Sequence, residues 1–228
     1  MAGNLQKEVD KIKKDILCLG AMVEDRFRKA TSAVLTNDIS LAQWLIDSDI
    51  EIDDLEVEVE EECLKILALY QPVAIDLRFL IAVIKINNDL ERVADEAVNI
   101  AQRIKAISGR NLGDYRFDYT EMTEKAAVML KTSLDALVQM DSELAQTVRR
   151  MDKVVNAMRD EAYDAMKNAI NKTPEQAGRI VNRYLISRHL ERIGDHATNI
   201  AEEVIHMIEG KIVRHDDKPA STGTRAGH

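Results

Sequence analysis

Leu90–Ala101 reads LERVADEAVNIA, and one hundred residues further on Leu190–Ala201 reads LERIGDHATNIA. Eight of the twelve positions are identical, among them Glu91/Glu191, Asp95/Asp195 and Asn99/Asn199. Two of the differences, Val93 for Ile193 and Ala94 for Gly194, are mild. A spacing of four puts side chains on one helix face, so each copy carries an acid, a second acid and an Asn along one edge. Like charges at that spacing cost about 0.2–0.5 kcal/mol on an exposed helix, and the chain has kept them twice.

Outward from the first copy, Val83, Ile86, Leu90, Val93, Ala97, Ile100, Ile104 and Ile107 step by three and four. That is the seam of a helix packed against other helices, running from about Asp76 to Ile107. Around the second copy, Ile186, Leu190, Ile193, Ala197, Ile200, Val204 and Met207 do the same after a turn at Thr173-Pro174-Glu175. Four further seams complete the pattern. The first spans Leu5 to about Leu35; the second runs from Leu41 to Leu69 and ends at Gln71-Pro72. The fourth helix carries Met122, Ala126, Met129, Ser133, Ala136 and Met140, and the fifth carries Val148, Met151, Val155, Met158, Ala162 and Ala165. Asn37-Asp38 and Asp141-Ser142 read as turns and caps.

The periodicity fails at Ser108–Asp114, the natural boundary between halves. The expected fold is therefore all-α: six long antiparallel helices as two tandem, pseudo-symmetric three-helix bundles, residues 1–110 and 111–213. Residues 214–228 are polar, with Gly, Ser and Pro, and are expected to be a disordered tail. Aromatics are scarce, with one Trp and three Phe, so Leu, Ile, Val, Ala and Met must fill the core. Six of the nine Met lie between Met122 and Met166, at spacings that suit core filling. Cys18 and Cys63 lack metal-type spacing and read as lone buried thiols.

Net charge is −9, which argues against a general nucleic-acid binder. The N-terminal stretch alternates charged and apolar residues without the apolar block of an export signal, and the longest apolar run is Phe79–Ile84. A soluble cytoplasmic protein is expected, meeting membranes only through protein partners.

Hairpin counting adds a second set of acids. Position 93 lies 21 residues past Pro72, and position 51 lies 21 residues before it, flanked by Asp49 and Asp53. Glu91 and Asp95 thus come level with Asp49 and Asp53. In the second half, 193 and 155 each lie 19 residues from Pro174, which brings Asp152 and Asn156 level with Glu191 and Asp195. No Lys or Arg falls at the seam spacing, and Arg92 and Arg192 should turn about 100° away. A bound cation is the economical counter-charge, and oxygen-only ligands favour Mg²⁺, Mn²⁺, Ca²⁺ or Fe. His196 is a further candidate ligand. The acid block Glu56–Glu62, by contrast, reads as a solvated face.

LERVAD and LERIGDHATNIAE, each in the third helix of a three-helix unit, resemble the paired E(D)xxxD motif of the PhoU family of bacterial phosphate-uptake regulators. The resemblance covers about residues 5 to 212, with Pro72, Asp76 and Arg78 in family-like places. It implies a cytoplasmic regulator rather than an enzyme. Such a protein mediates between the ATPase of the phosphate-specific ABC transporter and a phosphate-responsive sensor histidine kinase, restrains the starvation response and often forms a homodimer. It also implies metal binding through Asp49, Asp53, Glu91 and Asp95 in one bundle and Asp152, Glu191 and Asp195 in the other, with Mg, Mn, Fe or Zn as the ion. Asn156, standing where an acid is expected, should make the second site weaker or different. Two alternatives remain. One is an accessory protein of a low-affinity phosphate permease. The other is a ferritin-like di-metal carboxylate protein, which needs two Glu-x-x-His motifs where this chain has Glu203–His206 alone.

Overall fold

The computed structural model describes residues 2–48, 50–107 and 117–213. Asp49, the expected boundary at Ser108–Asp114 and the expected tail from 214 lie outside the described residues. What is described is helical throughout, with no strand. α1 (Ala2–Thr36) is followed by α2 (Ile39–Asp47), α3 (Ile50–Tyr70) and α4 (Ala74–Ile107). Then come α5 (Thr120–Gln139), α6 (Ser142–Lys172), a 3₁₀ turn at Pro174–Gln176 and α7 (Ala177–Glu209).

Apart from Leu69, expected inward on the second helix but 68% exposed near the end of α3, the expected seams are the covered ones. Val9, Ile12, Ile16, Leu19 and Val23 on α1 and Leu90, Val93, Ala97, Ile100 and Ile104 on α4 are buried, as are Ile193, Ala197, Ile200 and Val204 on α7. Met122 and Met129 fill core positions, while Met151 and Met158 lie against the core partly covered. Two details differ. Met140 caps α5 in the left-handed conformation (φ 51°) and is exposed, because the chain must reverse there. Cys18 is exposed while Cys63 is buried, and burial with Glu60 and Glu62 nearby pushes the Cys63 thiol up to about 12.

Helix ends follow local chemistry. Asp38 accepts the Leu41 N–H at 2.9 Å, and Asp141 accepts those of Glu143 and Leu144 at 2.8 and 3.1 Å. Gly210 closes α7 at φ 71°, a left-handed position that glycine takes without steric cost. The expected second helix is interrupted at Ser48. Leu45 and Ile52 are both buried, but the seam position between them falls to Ser48-Asp49, and no apolar side chain bridges the gap. Arg26 of α1, itself buried, donates its guanidinium to the Ser48 carbonyl left open by the break.

The two motif helices are the centre of the molecule. α4 and α7 pack against each other more extensively than any other pair, and one continuous core runs from α1 through α7. α1 also crosses to α5 in the other half. There Gly20 allows the approach, since a Cβ would stand 2.9 Å from Leu134 Cδ2. α4 and α7 run antiparallel, as their polar contacts show: Lys85 meets Glu203 at 3.1 Å, Asp89 meets Asn199 at 3.0 Å, Glu96 meets Arg192 at 3.0 Å and Arg103 meets Asn182 at 3.1 Å.

Candidate functional site

In the first half the acids stand along the α3/α4 groove. Glu91 and Asp95 are half-buried on α4, Glu91 one step past Leu90 of the seam and Asp95 midway between Val93 and Ala97, and Asp53 faces them from the first turn of α3. Glu56 joins this group. It is half-buried, and the fully buried Asn87 of α4 donates its amide to the Glu56 carbonyl at 2.8 Å and to its carboxylate at 3.2 Å. Glu56 was expected on a solvated face. The anchoring Asn87, a polar residue on the α4 face that packs against α3, is the sequence signal that could have singled it out.

The electrostatics of the groove follow from burial and crowding. Burial, then the neighbouring Asp95, Glu56 and Asp53, push the Glu91 carboxyl up to about 7, against the opposing pull of Arg92. Asp53 is raised by burial and by Asp95, and Glu56 by burial and by Glu60 and Asp53. The expectation that no arginine meets the seam is corrected here. Arg92 turns back to stand 3.6 Å from Glu91 and 3.9 Å from Asp95. The long side chain covers the rotation that the helix imposes on its Cα.

The second half differs from the first more than Asn156 alone would make it. Glu191 is buried and engaged by two guanidiniums, Arg188 one turn earlier on α7 and Arg159 of α6 at 3.7 Å. Asp152 is held by Asn156, whose amide donates at 2.8 Å, while burial raises its carboxyl. Asp195 is pushed up to about 6 by burial, then by Glu191 and Asp152, with Arg188 and His196 pulling it down. Asp152 and Asp195 line an open cleft of about 400 Å³ with Arg192, His196, Thr198 and Asn199. His196 itself pairs with Asp89 of the first half at 2.9 Å, so it serves the junction between halves.

Among the described residues, no three His, Cys, Asp or Glu side chains converge closely enough to hold one ion between them. The donor chemistry of the first groove nevertheless fits a hard cation. Its donors are carboxylate oxygens only, and burial and the crowding of Asp95, Glu56 and Asp53 push the Glu91 carboxyl up to about 7 despite Arg92. The second groove fits less well, because Glu191 already has its cations.

No described helix is long and apolar enough to cross a membrane. A family model described as the PhoU domain matches twice, over residues 16–104 and 119–204, so that each match contains one copy of the motif. The chain is 36% identical over 211 residues to the phosphate-specific transport system accessory protein PhoU homolog of Pseudomonas aeruginosa, covering 91% of this chain and 86% of that protein. It is 31% identical to the protein of the same description from Clostridium acetobutylicum, covering 93% and 97%. The crystal structure of PhoU from Pseudomonas aeruginosa superposes with a TM-score of 0.85 at 34% identity, covering 90% of this chain and 99% of that one. The phosphate transport system regulatory protein PhoU from Streptococcus pneumoniae superposes at 0.79 with 25% identity, covering 92% and 99%. With its motif duplicated on the two central helices and both halves matched, the chain belongs to the PhoU family of phosphate transport accessory proteins.

Proposed function

We propose that the chain is a cytoplasmic, non-catalytic regulator of phosphate uptake. It acts as an adaptor between the ATPase of a phosphate-specific ABC transporter and a phosphate-responsive sensor histidine kinase, and it holds the starvation response off while phosphate is plentiful. The observation that carries this reading is the double PhoU domain match, together with relatives named as accessory proteins of the phosphate-specific transport system. A homodimer is its working form.

In this reading the first groove loads a metal ion through Asp53, Glu56, Glu91 and Asp95, with Asp49 as the further ligand expected from the sequence. A bound cation supplies the positive charge that lets these carboxylates ionise together. The second groove offers Asp152 and Asp195 and binds more weakly, because Glu191 is neutralised by Arg159 and Arg188.

The test is affinity purification of the full chain from phosphate-replete and phosphate-starved cells, with the bound proteins identified. We expect the transporter ATPase and the kinase, with more kinase recovered from replete cells, and constitutive starvation-gene expression when the chain is deleted. Recovery of a low-affinity phosphate permease in place of both would overturn the adaptor reading.

A further inference from the structure

α3 is apolar on two opposite faces. Ile52, Val59, Cys63 and Ile66 point into the core. Ile50, Val57 and Leu64, seven residues apart, are 69%, 51% and 52% exposed. At 100° per residue the exposed three fall within about 40° of one another and roughly 150° round from the buried four. Among the described residues α3 packs only against α1 and α4, so this outer face has no partner within the chain. The three side chains make a stripe about 21 Å long, a seam of the kind that pairs helices. Asp54 and Glu61 flank it on one side, Asp53 and Glu60 on the other, and none of these four makes an ion pair among the described residues.

From this we infer that the outer face of α3 is a docking surface for an amphipathic helix of a partner protein, one with apolar residues at heptad spacing flanked by Lys or Arg. The charges choose the occupant. α3 carries eight acids and one lysine, so a second copy laid along the stripe would set acid against acid from end to end. An anionic membrane surface is repelled in the same way. A helix with basic flanks buries the stripe and neutralises both edges. This surface rests on the reading that the chain works through protein partners, but not on which proteins they are or on the groove holding a metal.

A labelled synthetic peptide of about 21 residues tests it, with Leu at alternating three- and four-residue spacing and Lys at the flanking positions. We expect saturable binding to the full chain that weakens as salt is raised to about 0.5 M. Val57→Glu, at an exposed position, should leave thermal unfolding unchanged and weaken binding about tenfold, although it adds a charge that attracts the peptide. Val128→Glu, on the exposed face of α5, should bind as the parent does. A scrambled peptide of the same composition should bind at least about tenfold more weakly. The inference is overturned if Val57→Glu binds as well as or better than the parent, if the scrambled peptide binds equally, or if the parent self-associates in sedimentation and Val57→Glu abolishes it. Because the probe is synthetic, failure to find the kinase or the ATPase in cells leaves these outcomes unaffected.

Discussion

Glu91 shows what the acid groove costs the fold. Its carboxyl is raised from the usual 4.5 to about 7 by burial and by Asp95, so the folded state takes up a proton near pH 7 that the unfolded chain binds only near 4.5. The folded state is therefore penalised fully above pH 7, and the penalty disappears as pH falls towards 4.5. Glu91→Gln removes the titrating charge. In chelator-treated protein we expect it to stabilise by about 1–3 kcal/mol at pH 8, roughly 3–8 °C in Tm, and by nearly nothing at pH 5. Thermal unfolding at the two pH values checks this, and an equal effect at both would show that the carboxyl ionises without hindrance. Adding Mn²⁺ should raise the Tm of the parent and leave Glu91→Gln/Asp95→Asn unmoved. Of these residues, Glu91, Asp95, Glu191 and Asp195 were legible because the motif is written twice, and Asp53 because hairpin arithmetic brings it level. Glu56 was hidden inside an acid block whose other members are mostly exposed. Arg159 and Arg188 were not legible as partners of Glu191, because one comes from another helix and the other from one turn back.

At the level of elements, heptad steps were enough to read six helical rods, since each seam that keeps its three-and-four rhythm is buried. The exception is the break between α2 and α3. Its signal was a skipped step: Leu45 and Ile52 stand seven apart, with Ser48-Asp49 where an apolar residue belongs. What the sequence pattern does not show is the side chain that stabilises the break. Arg26 lies 22 residues earlier, buried to 5% exposure, with its guanidinium on the Ser48 carbonyl. Replacing it with Met keeps much of the packing and removes the donor. We expect Arg26→Met to cost about 2 kcal/mol in urea unfolding, because a half-buried carbonyl at a helix end loses a charged partner. Arg28→Met is the control. Its side chain is 77% exposed and pairs locally with Asp25, so the change should stay within about 0.5 kcal/mol. Equal costs for the two would mean that the Ser48 carbonyl finds another donor.

The molecule as a whole is held by the places where its two halves are not identical. The repeat aligns Asp89 with His189 and Glu96 with His196, an acid in the first half against a histidine in the second. Antiparallel packing of α4 on α7 then sets Asp89 against His196 at 2.9 Å and Glu96 against His189 at 2.6 Å, two acid–histidine pairs related by the pseudo-symmetry. Glu96 is buried. Desolvation alone would raise its carboxyl, but His189, Arg192 and Asn99 together bring it below its usual value. If like halves met instead, acid would face acid on α4 and histidine would face histidine on α7. This seam was not legible beforehand, because the period of a repeat says where helices lie and not which faces meet. It makes a definite prediction in the full chain. His189→Asp/His196→Glu places four acids at the junction and should cost about 2–4 kcal/mol, since a buried carboxylate then loses its partner. Adding Asp89→His/Glu96→His to it reverses both pairs and should recover about half of that loss, the remainder lying with Arg192 and Asn199, which still favour the original acids. Urea unfolding of the two doubles and the quadruple measures the coupling directly. A quadruple no more stable than the less stable double would mean that packing of apolar faces alone, and not the exchanged charges, selects how the halves join.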